Sequence, residues 1–199
     1  MDKKKRRADR KLAELIKLRD LWDTVQIKDN YWGRAQRLIV QKINKNKFRY
    51  EEVEKLVWDQ YLVSIPWQVI ASIHAMEAGL SFEHNLHNGQ AWNIKTTWVP
   101  KGRGPFSSWE EAAMDALQLK KETFPDAWTI EKTLDFLEKY NGLGYRNYHP
   151  EVKTPYLWSG TNHYSTGKYI ADGRWDPTAE SKQLGAVLIL KGLFYNGRS

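Results

Sequence analysis

One carboxylate closes an otherwise apolar helical run, and it is the group in this chain best placed for acid–base chemistry. Residues 66–78 carry Trp67, Val69, Ile70, Ala71, Ile73, Ala75 and Met76, and Glu77 stands at the end of the run. A helix apolar all round lies in the middle of a domain. Pro66 suits its first turn, and Gly79 suits the left-handed residue that stops it. Burial and the negative end of the helix dipole both raise the pKa of a carboxyl group there. The one basic residue within a turn is His74. A carboxyl kept protonated near neutrality serves as a general acid. The plainer alternative, which periodicity alone favours, is that Glu77 is the first solvated residue past a buried helix.

Other polar residues fall at suggestive spacings. His74 with Glu77, and His84 with His87, stand three apart as metal ligands do. Two ligands on one turn do not make a site, and there is no cysteine, so no metal or cofactor is expected. His74 reads as a buried histidine hydrogen-bonded near Glu77. The string Tyr140-Asn141-Gly142-x-Gly144 fits a helix end turned by glycines. Further on, Tyr156, Trp158 and Tyr169 offer flat faces for a sugar ring, and Asn162 and Lys168 offer directional donors. A long ordered loop packing its own aromatics accounts for the same residues equally well.

These groups need elements to hold them. Apolar spacing predicts helices near 9–25, 30–44, 50–62 and 66–78. Ser108-x-x-Glu111 is a capping box for a helix over 109–121, and Thr129 opens another over 130–140. Asp176-Pro177 starts a last helix reaching about 193. Between them, residues 80–107 carry the Asn88-Gly89 turn and an extended Thr96–Val99, which together predict a small irregular β flap. The fold class is therefore mainly α (α+β).

At 199 residues with 41% apolar content, one core is the expectation. Residues 1–11 hold seven Lys or Arg against Asp2 and Asp9, hence +5 of the net +7, leaving +2 for the remainder. The expected organisation is a basic tail over 1–11 and a single domain over 12–199. Such a tail attracts anionic wall polymer, lipid or nucleic acid without specificity, or simply frays. The body lacks a basic helix face, which argues against a nucleic-acid binder. No run approaches the roughly 20 apolar residues that span a bilayer. No signal peptide is expected, so synthesis in the cytoplasm is.

The segment from His74 to Gly89, HxxEAxxxFxxxLHNG, is similar to the catalytic segment of the lysozyme-like superfamily, which takes in goose-type lysozymes and soluble lytic transglycosylases. It resembles most a bacterial and phage group of lysozyme family proteins, whose pattern reads H-x-x-E-S and then L-H-N-G-D. Ala78 stands at that serine and Gln90 at that aspartate. An aspartate with a part in catalysis there would leave this chain impaired or working differently. The Tyr140 string, Thr154-Pro-Tyr-Leu-Trp-Ser-Gly and Gly167-Lys-Tyr-Ile-Ala-Asp-Gly resemble the same group, so the likeness covers roughly 65–176.

The resemblance implies a lysozyme-like fold, with a central buried helix and the β flap forming one wall of a cleft. It implies a peptidoglycan hydrolase, a muramidase of the endolysin type, cleaving the β-1,4 bond between N-acetylmuramic acid and N-acetylglucosamine. Glu77 is then the general acid, and Asp172 the candidate second carboxylate, with Glu83 and Asp115 as others. Substrate-binding candidates are His74, Asn88, Tyr140, Asn141, Tyr156, Trp158, Lys168 and Tyr169. The partner is the glycan strand of the bacterial wall, met by a monomer after phage-type lysis or as part of a virion. A lytic transglycosylase using the same glutamate is the alternative. A non-catalytic wall-binding or virion structural module is the alternative of another class.

Overall fold

A computed structural model describes residues 2–195; Met1 and residues 196–199, which the expected segments include, lie outside the described residues. Helix α1 runs Lys3–Asp23, and Asp2 caps it, its side chain accepting from the N–H of Lys4 at 3.1 Å. The described part of the basic segment forms the exposed first half of this helix. Lys and Arg are good helix formers, and neither Gly nor Pro interrupts them. Helix α2 (Asp29–Leu38) passes into one π turn (Ile39–Ile43) and a short 3₁₀ turn (Asn44–Asn46), where one helix was expected. Then come α3 (Lys47–Tyr61) and α4 (Trp67–Ala78), the apolar helix.

Helices α3 and α9 (Ala186–Tyr195) both pack against α4. Helix α5 (Trp109–Gln118) leans on α3, and the short α8 (Pro155–Trp158) on α9; α6 (Ile130–Asn141) joins α8 to α1. A five-residue helix, α7 (Gly144–Tyr148), follows α6. Val69, Ile70 and Ile73 of α4 are buried in the main core with Leu134, Leu157 and Ile189. Full burial of such a side chain contributes about 1.5–3 kcal/mol, so three on one helix outweigh the cost of one awkward carboxyl group beside them. Gly79 stops α4 at φ +57, and the N–H groups of Gly79 and Leu80 both close on the His74 carbonyl, the latter at 3.2 Å.

Two expectations are corrected. Residues 80–107 form no strand, only an isolated bridge between His84 and Ala91. Side-chain amides there accept the N–H groups a strand partner would take. Oδ1 of Asn85 accepts from the N–H groups of His87 and Asn88, and Oε1 of Gln90 from those of Thr97 and Trp98. The sheet lies instead at β1 (Lys168–Ala171) and β2 (Arg174–Asp176), an antiparallel hairpin turned at Asp172-Gly173. Nor does Asp176-Pro177 begin the last helix. Oδ1 of Asp176 accepts from the N–H groups of Thr178 and Ala179, a local turn that ends the hairpin, and helix resumes only at Ala186. Just before it, a Cβ on Gly185 would lie 2.3 Å from the Leu157 carbonyl, so glycine alone lets this segment meet α8.

The described part of the chain is mainly helical with one small sheet. Among the described residues no helix is long and apolar enough to cross a membrane.

Candidate active site

Glu77 sits in the last turn of α4 with part of its surface open to solvent. Burial pushes its carboxyl up to about 7, against the opposing effects of a hydrogen bond from Tyr156 and the positive charge of Lys120. The Tyr156 hydroxyl, presented by α8, donates to Oε1 at 2.9 Å. Tyr140, from α6, borders Glu77 as well, and both phenols are pushed well above their ordinary range, chiefly by burial. Near neutral pH the carboxyl therefore divides between its acid and base forms, as proton transfer in both directions requires.

The turn after α4 closes over this group. A Cβ on Gly89, at φ +75, would stand 2.9 Å from the Glu77 carbonyl, so the Asn88-Gly89 turn lies directly against the helix end. His74 holds the same region from below. Its Nδ1 accepts from the Tyr50 hydroxyl (3.0 Å) and its Nε2–H donates to the Ser81 carbonyl (3.1 Å), the neutral tautomer that both partners require. Burial lowers its pKa to about 4, and the ring packs between Phe82 and Trp109. Its expected substrate contact is corrected: His74 is wholly buried and both nitrogens are engaged.

A cleft of about 370 Å³ opens beside Tyr156. Asn141, Lys168 and Tyr169 line it with Tyr156, as do Gln183 and Ser181. Four of the expected binding residues, drawn from α6, α8 and the hairpin, thus meet at one place. Tyr140 is buried instead, its hydroxyl donating to the Leu86 carbonyl at 2.9 Å, so it forms the floor under Glu77 rather than a ligand contact. Asn88 spends its amide on the loop: Nδ2 donates to Gln90 Oε1 and the Trp98 carbonyl, and Oδ1 accepts from the Gln90 N–H. Trp158 is 1% exposed and faces away from this cleft. Asn162 ties the segment after α1 to the loop after α8, accepting from the Gln26 N–H at 2.9 Å.

The second carboxylate is corrected too. Asp172 occupies the exposed hairpin turn and does not line the cleft. Glu83 is exposed. Asp115 is bound by Arg103 through both oxygens and by His87 Nε2 at 2.7 Å; burial raises its pKa, but these partners outweigh that and hold it below the carboxylate range. Among the described residues, no carboxylate lines this cleft; Glu77 lies behind Tyr156, to which it is hydrogen-bonded. No group of three or more His, Asp or Glu among the described residues could hold a metal ion.

Two neighbours escape sequence reading. Lys120, just past α5, donates to the Tyr140 carbonyl at 3.3 Å and carries its charge towards Glu77. Gln183 donates to the Met76 carbonyl at 2.8 Å, fixing the loop before α9 to the end of α4. Neither lies in a motif or at a periodic position, and only long-range packing brings them in. No protein-family model, no curated protein and no solved structure matches the chain.

Proposed function

We propose that this protein cleaves the β-1,4 bond between N-acetylmuramic acid and N-acetylglucosamine in bacterial peptidoglycan, with Glu77 as general acid. One observation carries the reading. A carboxyl group whose pKa burial lifts to about 7 is hydrogen-bonded to Tyr156, which lines a polar cleft furnished with an amide, an ammonium and tyrosine faces. Those groups suit an N-acetylated sugar: Asn141 for an acetamide, Lys168 for a lactyl carboxylate, Tyr169 for a ring face. The resemblance of residues 65–176 to lysozyme family proteins supplies the substrate class.

In the first step Glu77 gives its proton to the glycosidic oxygen, the C1–O4 bond breaks, and N-acetylglucosamine leaves with a free 4-hydroxyl. In the muramidase route water then adds to C1. A base some 6.5–9.5 Å away, or a nucleophilic carboxylate about 5–5.5 Å away, conventionally assists that addition. Among the described residues, no carboxylate other than Glu77 is found beside the cleft-lining Tyr156, which favours a second reading, the lytic transglycosylase route. There the muramic 6-hydroxyl attacks C1, and the Glu77 carboxylate takes the proton this releases.

Digestion of purified peptidoglycan by the intact protein and by Glu77→Gln, with mass spectrometry of the soluble fragments, tests both. Reducing muramic ends that vanish in the variant support a muramidase, and 1,6-anhydro-muramic ends a transglycosylase. No fragments from either protein, across several wall types, would overturn the enzymatic reading and leave a wall-binding or virion module. The site of action proposed with this reading is the cell wall, reached after lysis or from a virion.

A further inference from the structure

A second cleft, of about 290 Å³, lies between α1 and the segment leading through α8. Thr154 and Trp158, one helical turn apart, face it, whereas Pro155 and Tyr156 line the cleft near Glu77. Arg10 and Lys17 enter from α1, and Lys153 from the opposite wall. Among the described residues none of these three cations has an ion-pair partner within reach. Glu138, also on the wall, is neutralised by Arg146, which bonds Asp135 as well. Glu14 lines the cleft too, and Glu14, Glu138 and Glu151 all act on Lys153 without forming a contact ion pair with it.

Arg10, Lys17 and Lys153 lack contact ion pairs of their own among the described residues. Burial lowers the pKa of Lys153 and the positive charge of Lys17 lowers it further, outweighing the opposing charges of Glu138, Glu14 and Glu151, so two cations share one partly desolvated space. Thr154 is 2% exposed, and its Oγ1 has no hydrogen-bond partner, though a hydroxyl in that position ordinarily caps the helix that follows. An unsatisfied buried hydroxyl on the wall of a basic cleft is a donor in want of an acceptor.

We infer that this cleft binds a phosphate-bearing anion, held by Arg10, Lys17 and Lys153 and oriented by the Thr154 hydroxyl. Arginine and lysine around one oxyanion give charge-assisted bonds that neutral ligands cannot match. The volume suits a phosphate with a small organic substituent, or one unit of a phosphodiester chain. The basic run in α1 thereby has a defined partner, through Arg10, beyond diffuse attraction. This inference stands independently of the reading of Glu77.

Titration calorimetry of the full chain at fixed ionic strength tests it, with inorganic pyrophosphate, glycerol 3-phosphate and short poly(glycerol phosphate) as probes and chloride as the background. Lys153→Met and Thr154→Val are the informative variants, and Lys101→Met, on a distant exposed loop, controls for charge alone. Saturable one-to-one binding is expected, weakened about tenfold or more in Lys153→Met and about fivefold in Thr154→Val, and unchanged in Lys101→Met. Binding by the monoesters identifies a free small phosphate as the ligand; binding by the polymer alone identifies a phosphodiester. No saturable binding by any probe overturns the inference, as does equal weakening by Lys153→Met and Lys101→Met or indifference to Thr154→Val. Thr154→Val deletes a hydroxyl with no partner at constant volume, so its fold is kept and its binding remains readable.

Discussion

The hydroxyl of Tyr156 donates to Oε1 of Glu77 at 2.9 Å, joining two residues 79 positions apart at the point where α8 meets the end of α4. The bond favours the carboxylate and so opposes the burial that raises Glu77 to about 7. Removing it in Tyr156→Phe leaves burial less opposed and raises the Glu77 pKa. The alkaline limb of the pH–activity profile should move upward by roughly 0.7 pH unit, from a hydrogen bond of about 1 kcal/mol. An unmoved limb would show that this bond does not act on the acid.

Activity depends on Glu77 donating a proton, so it should fall as pH rises past about 7. Glu77→Gln keeps the shape and loses the proton. Wall-degrading activity should drop by about 10²–10⁴-fold at every pH, measured as release of soluble fragments. A variant with near-normal turnover would remove Glu77 from the mechanism.

Stability should respond to pH through two groups of opposite sign. Glu77 stays protonated up to about 7, while in the unfolded chain it ionises near 4.5, so its contribution is full below pH 4.5 and lost as pH climbs to 7. His74 stays neutral down to about 4, against 6.5 when unfolded, so its contribution is full above 6.5 and lost as pH falls towards 4. Each is worth at most about 3 kcal/mol, and between pH 4.5 and 6.5 they nearly cancel. Urea melts of Glu77→Gln should therefore show stability rising with pH across that window, where the parent is flat. Parallel profiles for the two proteins would mean that Glu77 ionises normally in the fold.

Gly89→Ala meets two obstacles together, a positive φ and a carbonyl oxygen 2.9 Å from the new methyl group. A loss of about 1–3 kcal/mol is expected from chemical denaturation. Because the displaced neighbour is the Glu77 backbone, activity should fall further than the loss of stability explains. A loss of stability with unaltered turnover at saturation would separate this turn from the site.

The buried helix and the place of its acid were legible because local chemistry alone specifies them. An apolar run with Pro66 before it and Gly79 after it reads as a buried helix with Glu77 at its end, whereas periodicity leaves that carboxyl solvated and only packing buries it. The Ser108 cap likewise forms, its Oγ accepting from the Glu111 N–H at 3.1 Å, while the Glu111 carboxylate takes the N–H of Ser107 rather than that of Ser108. Misreadings arose where side chains compete with backbone. Asn85 and Gln90 satisfy N–H groups that extended residues would have offered to a strand, and Asp176 does so where a helix cap was expected.

Sequence by itself determined which helix is central and that Glu77 closes it, since both follow from neighbours within a few residues. Only the tertiary structure decided which aromatics reach Glu77 and which merely fill the core. Tyr156 and Trp158 sit two residues apart on one short helix, a separation that turns them to opposite sides, one to the acid and one to the basic cleft. Lys120 and Gln183 reach the same site through contacts spanning 20 and 107 residues of chain. Such contacts depend on how helices pack, and no periodicity along the chain records that.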